Sequence, residues 1–321
     1  MNYVIGPSLF ILLSISIYLK VKSQPDLEQS LGLLKQSISP QNKWYIISLF
    51  ILMLLNWGIE ARKWQILVSS VQKVSLFTAA KAVLSGLSLS LFIPNGIGEY
   101  FGRIIYMNEG NRLRSIALTI AGSMSQLIVT LIAGLCGLLY LKNNVWAGAG
   151  QLQGLSVFWV NSIISMIFMG CLLLVLIYFR LSWLTALVEK IPFVYKYRYL
   201  IQNLEAFHWK ELTRILSLSV SRFVVFTVQY LILLHIFNVQ VSPVNAASTT
   251  SVLFLVLAVL PTIPVADLGI RGEAGIQLFG LLSSNTLGII ATSAGIWLVN
   301  IIIPAMAGSL FILSIKIFRN R

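Results

Sequence analysis

Six stretches of this chain are apolar for long enough to cross a bilayer: about 3–21, 43–68, 113–141, 154–179, 211–237 and 286–317. A spanning helix needs roughly 20 such residues. Hydrocarbon offers no partner for an open strand edge, so helices are the economical way to satisfy the backbone across so many runs. The composition agrees. Hydrophobic residues make up 57% of the 321 and charged residues 10%, with a mean hydropathy of +0.87. The expected fold is all-α, a polytopic helical membrane protein forming a single integral membrane domain over 1–321. The first run, Tyr3 to Leu19, has no basic segment before it and no small-residue cleavage site before Lys20. It reads as a retained helix rather than a signal peptide.

The formal net charge is +13. The basic residues flank apolar runs, which points to anionic lipid headgroups and topology rather than to nucleic acid. Cys136 and Cys171 both sit inside apolar runs and read as buried small hydrophobes, with no disulfide or metal expected. The stretch Leu181 to Lys210 interleaves charge with Trp183, Phe193, Tyr195 and Trp209, as an interfacial amphipathic element does.

Two further apolar runs end differently. Residues 74–93 lead into Pro94-Asn95-Gly96-Ile97-Gly98-Glu99 and a short segment 99–108. Residues 244–260 lead into Pro264-Val265-Ala266-Asp267-Leu268-Gly269-Ile270-Arg271-Gly272-Glu273 and a short segment 273–283. Proline and glycine break helices. Each return segment is too short to span, so each run is expected to form a re-entrant broken-helix hairpin rather than a full span with a stub. The structural residues of these breaks are Pro94, Gly96 and Gly98 in the first and Pro264, Asp267 and Gly269 in the second.

A repeat follows. Unit A covers about 43–141, with hairpin 74–108 between two spans. Unit B covers about 211–317, with hairpin 244–283. A connecting helix and the amphipathic segment, 154–210, lie between them. Three crossings separate the starts of the two units, so they face opposite ways, as in many alternating-access carriers. Arg62, Lys63, Lys73, Arg112, Arg114, Arg180, Lys190, Lys196, Arg198, Lys210, Arg214, Lys316, Arg319 and Arg321 fall on one side. Lys20, Lys22, Lys35, Lys43 and Lys142 fall on the other. The basic excess puts both termini and the mouth of hairpin A in the cytoplasm of a cell inner membrane, and hairpin B then opens outward. Lys20 and Lys22, which follow the first helix, are a local signal against that orientation.

The remaining basic residues, Lys81, Arg103, Arg222 and Arg271, lie near membrane depth, with Glu99, Asp267 and Glu273; Glu60 sits at a helix end. Each charge at the bilayer centre costs at least about 2.5–3.5 kcal/mol unless it is paired or wetted. Glu99 and Arg103 have the spacing and order of a helical ion pair. Arg271 and Glu273, two apart, pair on an unwound segment or across the repeat. Such residues either lock the hairpins shut or line a charged cavity. Arginines beside broken-helix N-termini suit a phosphate. The candidate site is Arg62, Glu99, Arg103, Arg222, Arg271 and Glu273. Other polar residues read as structural: His208 solvated, His235 in the core, Asn56, Gln126 and Gln229 as interhelical partners, Gly134 and Gly137 as close packing. No catalytic triad, metal cluster or nucleotide loop is visible, so neither an enzyme nor a cofactor is expected.

Taken together, the motifs resemble a known family, the membrane region of lysylphosphatidylglycerol synthases, or flippase-like domain. The matching pieces are Asn56-Trp57 with Arg62-Lys63-Trp64, then Pro94-x-Gly-x-Gly98-Glu99-x-x-x-Arg103, then Leu268-Gly269-Ile270-Arg271-Gly272-Glu273. The sequence departs where Val265-Ala266-Asp267 replaces the family's usual Gly-Gly pair. The resemblance implies an integral membrane protein that moves a lipid between leaflets. In the multiple peptide resistance factors this region precedes a soluble aminoacyl-lipid synthase, and this chain is expected to be a stand-alone member. The expected function is therefore a lipid translocase, flippase or scramblase-like, whose partners are membrane lipids with an anionic phospholipid or lipid-linked headgroup. A homo-oligomer or envelope-synthesis enzymes are the protein partners to consider. The alternatives are a membrane-embedded lipid-headgroup transferase and an accessory subunit of envelope or glycolipid assembly.

Overall fold

The structure, a computed structural model, describes residues 42–91, 93, 96–146, 157–180, 207–260 and 267–313. The first predicted span, most of the amphipathic stretch, Pro94 and Pro264 lie outside the described residues. In chain order the helices are α1 (Lys43–Val68), α2 (Leu76–Ser90), α3 (Ile97–Ile104), α4 (Arg112–Asn144), α5 (Val157–Phe179), α6 (Trp209–Ile236), α7 (Pro243–Val259), α8 (Asp267–Phe279), α9 (Thr286–Trp297) and α10 (Ile303–Leu313). A π-helical turn, Leu298–Ile302, joins α9 to α10 into one long rod. Among the described residues there are five helices long and apolar enough to cross a membrane: α1, α4 with the turn before it, α5, α6 and the α9–α10 rod. The chain is an all-helical, multi-pass membrane protein.

The described helix starts of both hairpins follow from their sequences. Ser75 caps α2 by accepting from the Thr78 amide. Ser242 caps α7, with Pro243 in the first turn where its missing N–H costs nothing. The N-cap of α3 is Gly96 at φ +70°, a left-handed conformation that side chains resist. The return helix then lies directly on α2. A Cβ on Gly102 would sit 2.3 Å from Gly86 Cα, and one on Gly98 would sit 2.3 Å from the Leu89 carbonyl. Backbones this close leave no room for a side chain between the two arms.

The two units exchange their last helices. Helix α4 of the first unit packs on α7 of the second, with Gly134 against Leu255 and Gly137 against Ser248. Helix α10 of the second packs on α2 of the first, where Gly308 meets the Leu84 carbonyl. The equivalent first helices, α1 and α6, form the central pair. Tyr45 meets His235, the Leu49 carbonyl accepts from Gln229, and Asn56 accepts from Arg222. As one helix ascends, the other descends. Equivalent helices paired antiparallel are what a two-fold axis in the membrane plane produces, so the repeat is inverted. Helix α5 stands outside this core against α4 and exposes most of its surface.

Each unit has its own apolar cluster, one around Trp64 and one around Tyr230 and Phe279. In each, the first helix places a large aromatic whose polar tip reaches the span after the hairpin. Trp64 Nε1 donates to Thr119 Oγ1 at 3.1 Å, and Tyr230 shares a 3.1 Å hydrogen bond with Ser293. A buried Trp is favourable where its N–H finds a partner. Trp64→Phe is expected to lower stability by about 1 kcal/mol, read as a drop in melting temperature of the purified protein.

Two sequence expectations are corrected here. His235 is exposed and lies tilted against the Tyr45 ring rather than sitting in the core. Cys136 is exposed on α4, whereas Cys171 is buried as expected. Both faces are apolar, and composition alone does not separate a lipid-facing position from a core one.

Candidate functional site

Asn56, Glu60 and Lys63 are spaced four and three apart on α1, which puts them on one helical face. All three are buried. Glu60 was expected at a helix end and Lys63 at the membrane surface. Instead α1 runs two turns beyond Glu60, and both side chains lie inside the protein.

Glu60 is the hub. Its Oε1 accepts from Arg103 Nη2 at 2.9 Å. Its Oε2 accepts from Lys63 Nζ at 2.7 Å and from Arg222 Nη1 at 2.7 Å. Arg103 also pairs with Glu99 one turn earlier on α3. Three cations therefore share two carboxylates, and the cluster carries a net charge of +1 (3 − 2). Lys63 and Arg103 are almost inaccessible at 2% and 3%, while Arg222 at 15% and Glu99 at 37% open outward.

Arg222 ties the units together. It arrives from α6, donates Nε to Asn56 Oδ1 at 2.9 Å, and lies over the rings of Trp57 at 5.2 Å and Phe226 at 5.6 Å. Such stacking holds a guanidinium in a fixed plane. Asn56 Nδ2 in turn donates to Asn300 Oδ1 at 3.3 Å. Asn56, Arg222 and Asn300 each fall next to the midpoint of their spanning helices. The three form a line of polar groups at the middle of these spans. Asn300 lies in the π turn, a distortion that often marks functional positions.

Several donors here have no acceptor. Trp57 Nε1, Arg103 Nε and Asn300 Nδ2 are buried without a hydrogen-bond partner. Buried polar groups are ordinarily satisfied. Orphaned donors beside a net positive charge form an environment for an anion with several acceptor oxygens, such as a phosphodiester.

Of the residues expected from sequence, Glu99, Arg103 and Arg222 meet at this cluster. The others do not. Arg62 is exposed and donates to Gln65 at 2.5 Å. Glu273 is exposed and accepts from Gln277 at 2.8 Å. Arg271 is half-buried on α8, its carbonyl near Ser293 Oγ. Lys81 lies over Phe77 and Phe311. Gly269 faces open space, and the Asp267 side chain lies outside the described residues. The Glu273–Gln277 bond corrects the comparison of the two motifs. Gly98-Glu99-x-x-x-Arg103 matches Gly272-Glu273-x-x-x-Gln277, so the counterpart of Arg103 is Gln277 and not Arg271. Aligning Trp64 with Tyr230 likewise places Glu60 opposite Phe226 and Lys63 opposite Gln229. Glu60, Lys63, Glu99 and Arg103 come from the first unit and Arg222 from the second, whose positions opposite Glu60, Lys63 and Arg103 are uncharged.

The family model described as the lysylphosphatidylglycerol synthase TM region matches residues 11–308. The chain belongs to that family. No curated protein matches it. The lysylphosphatidylglycerol synthase TM region thus extends over both inverted units, and in this member Glu60, Lys63, Arg103 and Arg222 all lie within the matched stretch.

Proposed function

We propose that this chain is a lipid translocase, moving an anionic phospholipid or lipid-linked headgroup between leaflets of the inner membrane. The observation that carries this reading is the buried, net-positive cluster at mid-span, shared by two units of opposite orientation. A headgroup crossing the hydrocarbon needs a polar relay at its centre, and Asn56, Arg222 and Asn300 supply one. Arg222 and Arg103 hold the phosphate, Glu99 orients Arg103 from the hairpin mouth, and the acyl chains stay in lipid. Inverted units expose such a site to each side in turn. Hairpin A faces the cytoplasm in this reading, hairpin B the opposite side, and no cofactor takes part.

Reconstitution tests it. Vesicles with headgroup-labelled phosphatidylglycerol in both leaflets are treated with an impermeant quencher. Protein-containing vesicles should lose the inner-leaflet signal faster than empty ones. Arg103→Ala removes two charge-assisted hydrogen bonds, each worth about 1.5–3 kcal/mol, and should slow transfer at least ten-fold. Equal rates with and without protein would refute the proposal.

A further inference from the structure

We infer that Glu60 is the resident anion of this site, competing with the substrate phosphate for the same cations. The inference rests on the translocase reading for the identity of the ligand, but not for the existence of the site.

The geometry separates this role from that of a simple structural ion pair. A structural pair needs one cation for each carboxylate. Glu60 instead collects three, with both oxygens engaged and only 4% of its side chain accessible. Three cations drawn to one carboxylate repel one another, and they are held together by the anion between them. Glu99 offsets one more charge from the mouth, and the balance is still positive. The site is built for more negative charge than the chain supplies.

The partners also differ in how firmly they are held. Lys63 shares the helix and face of Glu60 and is fully enclosed. Arg222 comes from the other unit and is the most exposed of the three cations. Its Nη2 makes no hydrogen bond among the described residues, while Nε and Nη1 are engaged by Asn56 and Glu60. An incoming phosphodiester therefore meets Arg222 first and must compete with Glu60 for it. The orphaned donors of Trp57 and Arg103 lie on the two residues flanking that exchange. Binding is weakened by the competition, and release is eased by it, because Glu60 recaptures the arginine as the lipid departs. A carrier needs both to turn over. The mirror position in the other unit is Phe226, which stacks on Arg222 but offers no competing charge.

The test is binding by the full-length protein in detergent, followed by titration calorimetry. The probes are dihexanoylphosphatidylglycerol and, in a second arm, inorganic phosphate. Glu60→Gln keeps the shape and one acceptor but removes the charge. It should bind dihexanoylphosphatidylglycerol about ten-fold more tightly than the unmodified chain, the scale of one charge-assisted hydrogen bond. Glu60→Asp keeps the charge and draws it back by one methylene, so it should bind about two- to three-fold more tightly. That variant decides the matter if Glu60→Gln does not fold. A gain for the lipid probe alone supports competition at a site that reads the whole headgroup. Equal gains for both probes support competition at a site that reads phosphate. Unchanged or weaker binding of both probes by Glu60→Asp, and by Glu60→Gln where it folds, overturns the inference. Because binding is read without transport, a protein that binds but does not move lipid would sink the translocase reading and leave the role of Glu60 standing.

Discussion

Gly102→Val is expected to prevent the protein from accumulating in folded form. The introduced Cβ would fall 2.3 Å from Gly86 Cα and 2.4 Å from its amide nitrogen. Neither atom belongs to a side chain that can swing aside, so α3 itself must move. Overpacking of a core side chain costs about 1–3 kcal/mol, and a backbone collision along a helix pair lies at or above the top of that range. The shift also reaches the site, since Arg103 is the next residue and its reach to Glu60 depends on how closely α3 lies on α2. Detergent extraction and gel filtration after matched expression measure the outcome, as loss of the monodisperse peak. Gly58→Ala is the control. Nothing lies within 4 Å of its added Cβ, and it should match the unmodified chain in yield.

The second large effect concerns activity rather than folding. Arg222→Met should leave the protein folded and slow lipid transfer by about two orders of magnitude. Removing one member of a buried pair usually costs 3–5 kcal/mol, because the other is left uncompensated. The charged part of that cost is avoided here, and what remains is the donor lost to the buried Asn56 Oδ1, about 1–3 kcal/mol. Glu60 keeps Lys63 and Arg103, so no buried carboxylate is stranded, and the crowding of three cations is relieved. Methionine fills the space between Trp57 and Phe226. The relay between units is lost, together with the charge first met by the headgroup. Losing charge-assisted bonds of about 1.5–3 kcal/mol corresponds to roughly 10- to 150-fold. The measurement is the vesicle transfer assay beside a thermal melt of the same preparation. A melt lowered by no more than that remaining cost, with transfer lost, is the expected pair of results. A collapsed melt would assign Arg222 to folding instead.

Much of this was legible in the residues. Apolar length located the five described spans, and Gly96 and Gly98 marked the start of the first hairpin's return helix. The Glu99–Arg103 spacing predicted a pair that the structure contains. The hub was missed although its signal is present. Asn56, Glu60 and Lys63 repeat at helical spacing on an otherwise apolar α1, and polar residues so spaced share one face. What concealed them was depth. Glu60 and Lys63 lie in the last third of the 43–68 run, beside Arg62, where charged residues ordinarily meet the membrane surface. In the fold this end of α1 is enclosed by the protein, with Trp64, Leu67 and Val68 fully buried. The second motif was less legible. Arg271 and Glu273 stand two apart on α8, a spacing that points them to different faces, and Glu273 accepts from Gln277 one turn on.

The π turn gives the α9–α10 rod one residue more per turn at mid-membrane than an α-helix would hold. That residue behaves as slack in a stitched seam. Drawn out, it would advance one part of the rod by about 1.5 Å and rotate it by roughly 100° relative to the other. Helix α9 is anchored in its own unit through Ser293 and Asn285, while α10 is sewn to the opposite unit through Gly308 on Leu84. The slack therefore lies on a rod that touches both halves, and Asn300 sits inside it. Motion between the halves can be absorbed there without breaking either seam, at the level where the central line of polar groups is joined.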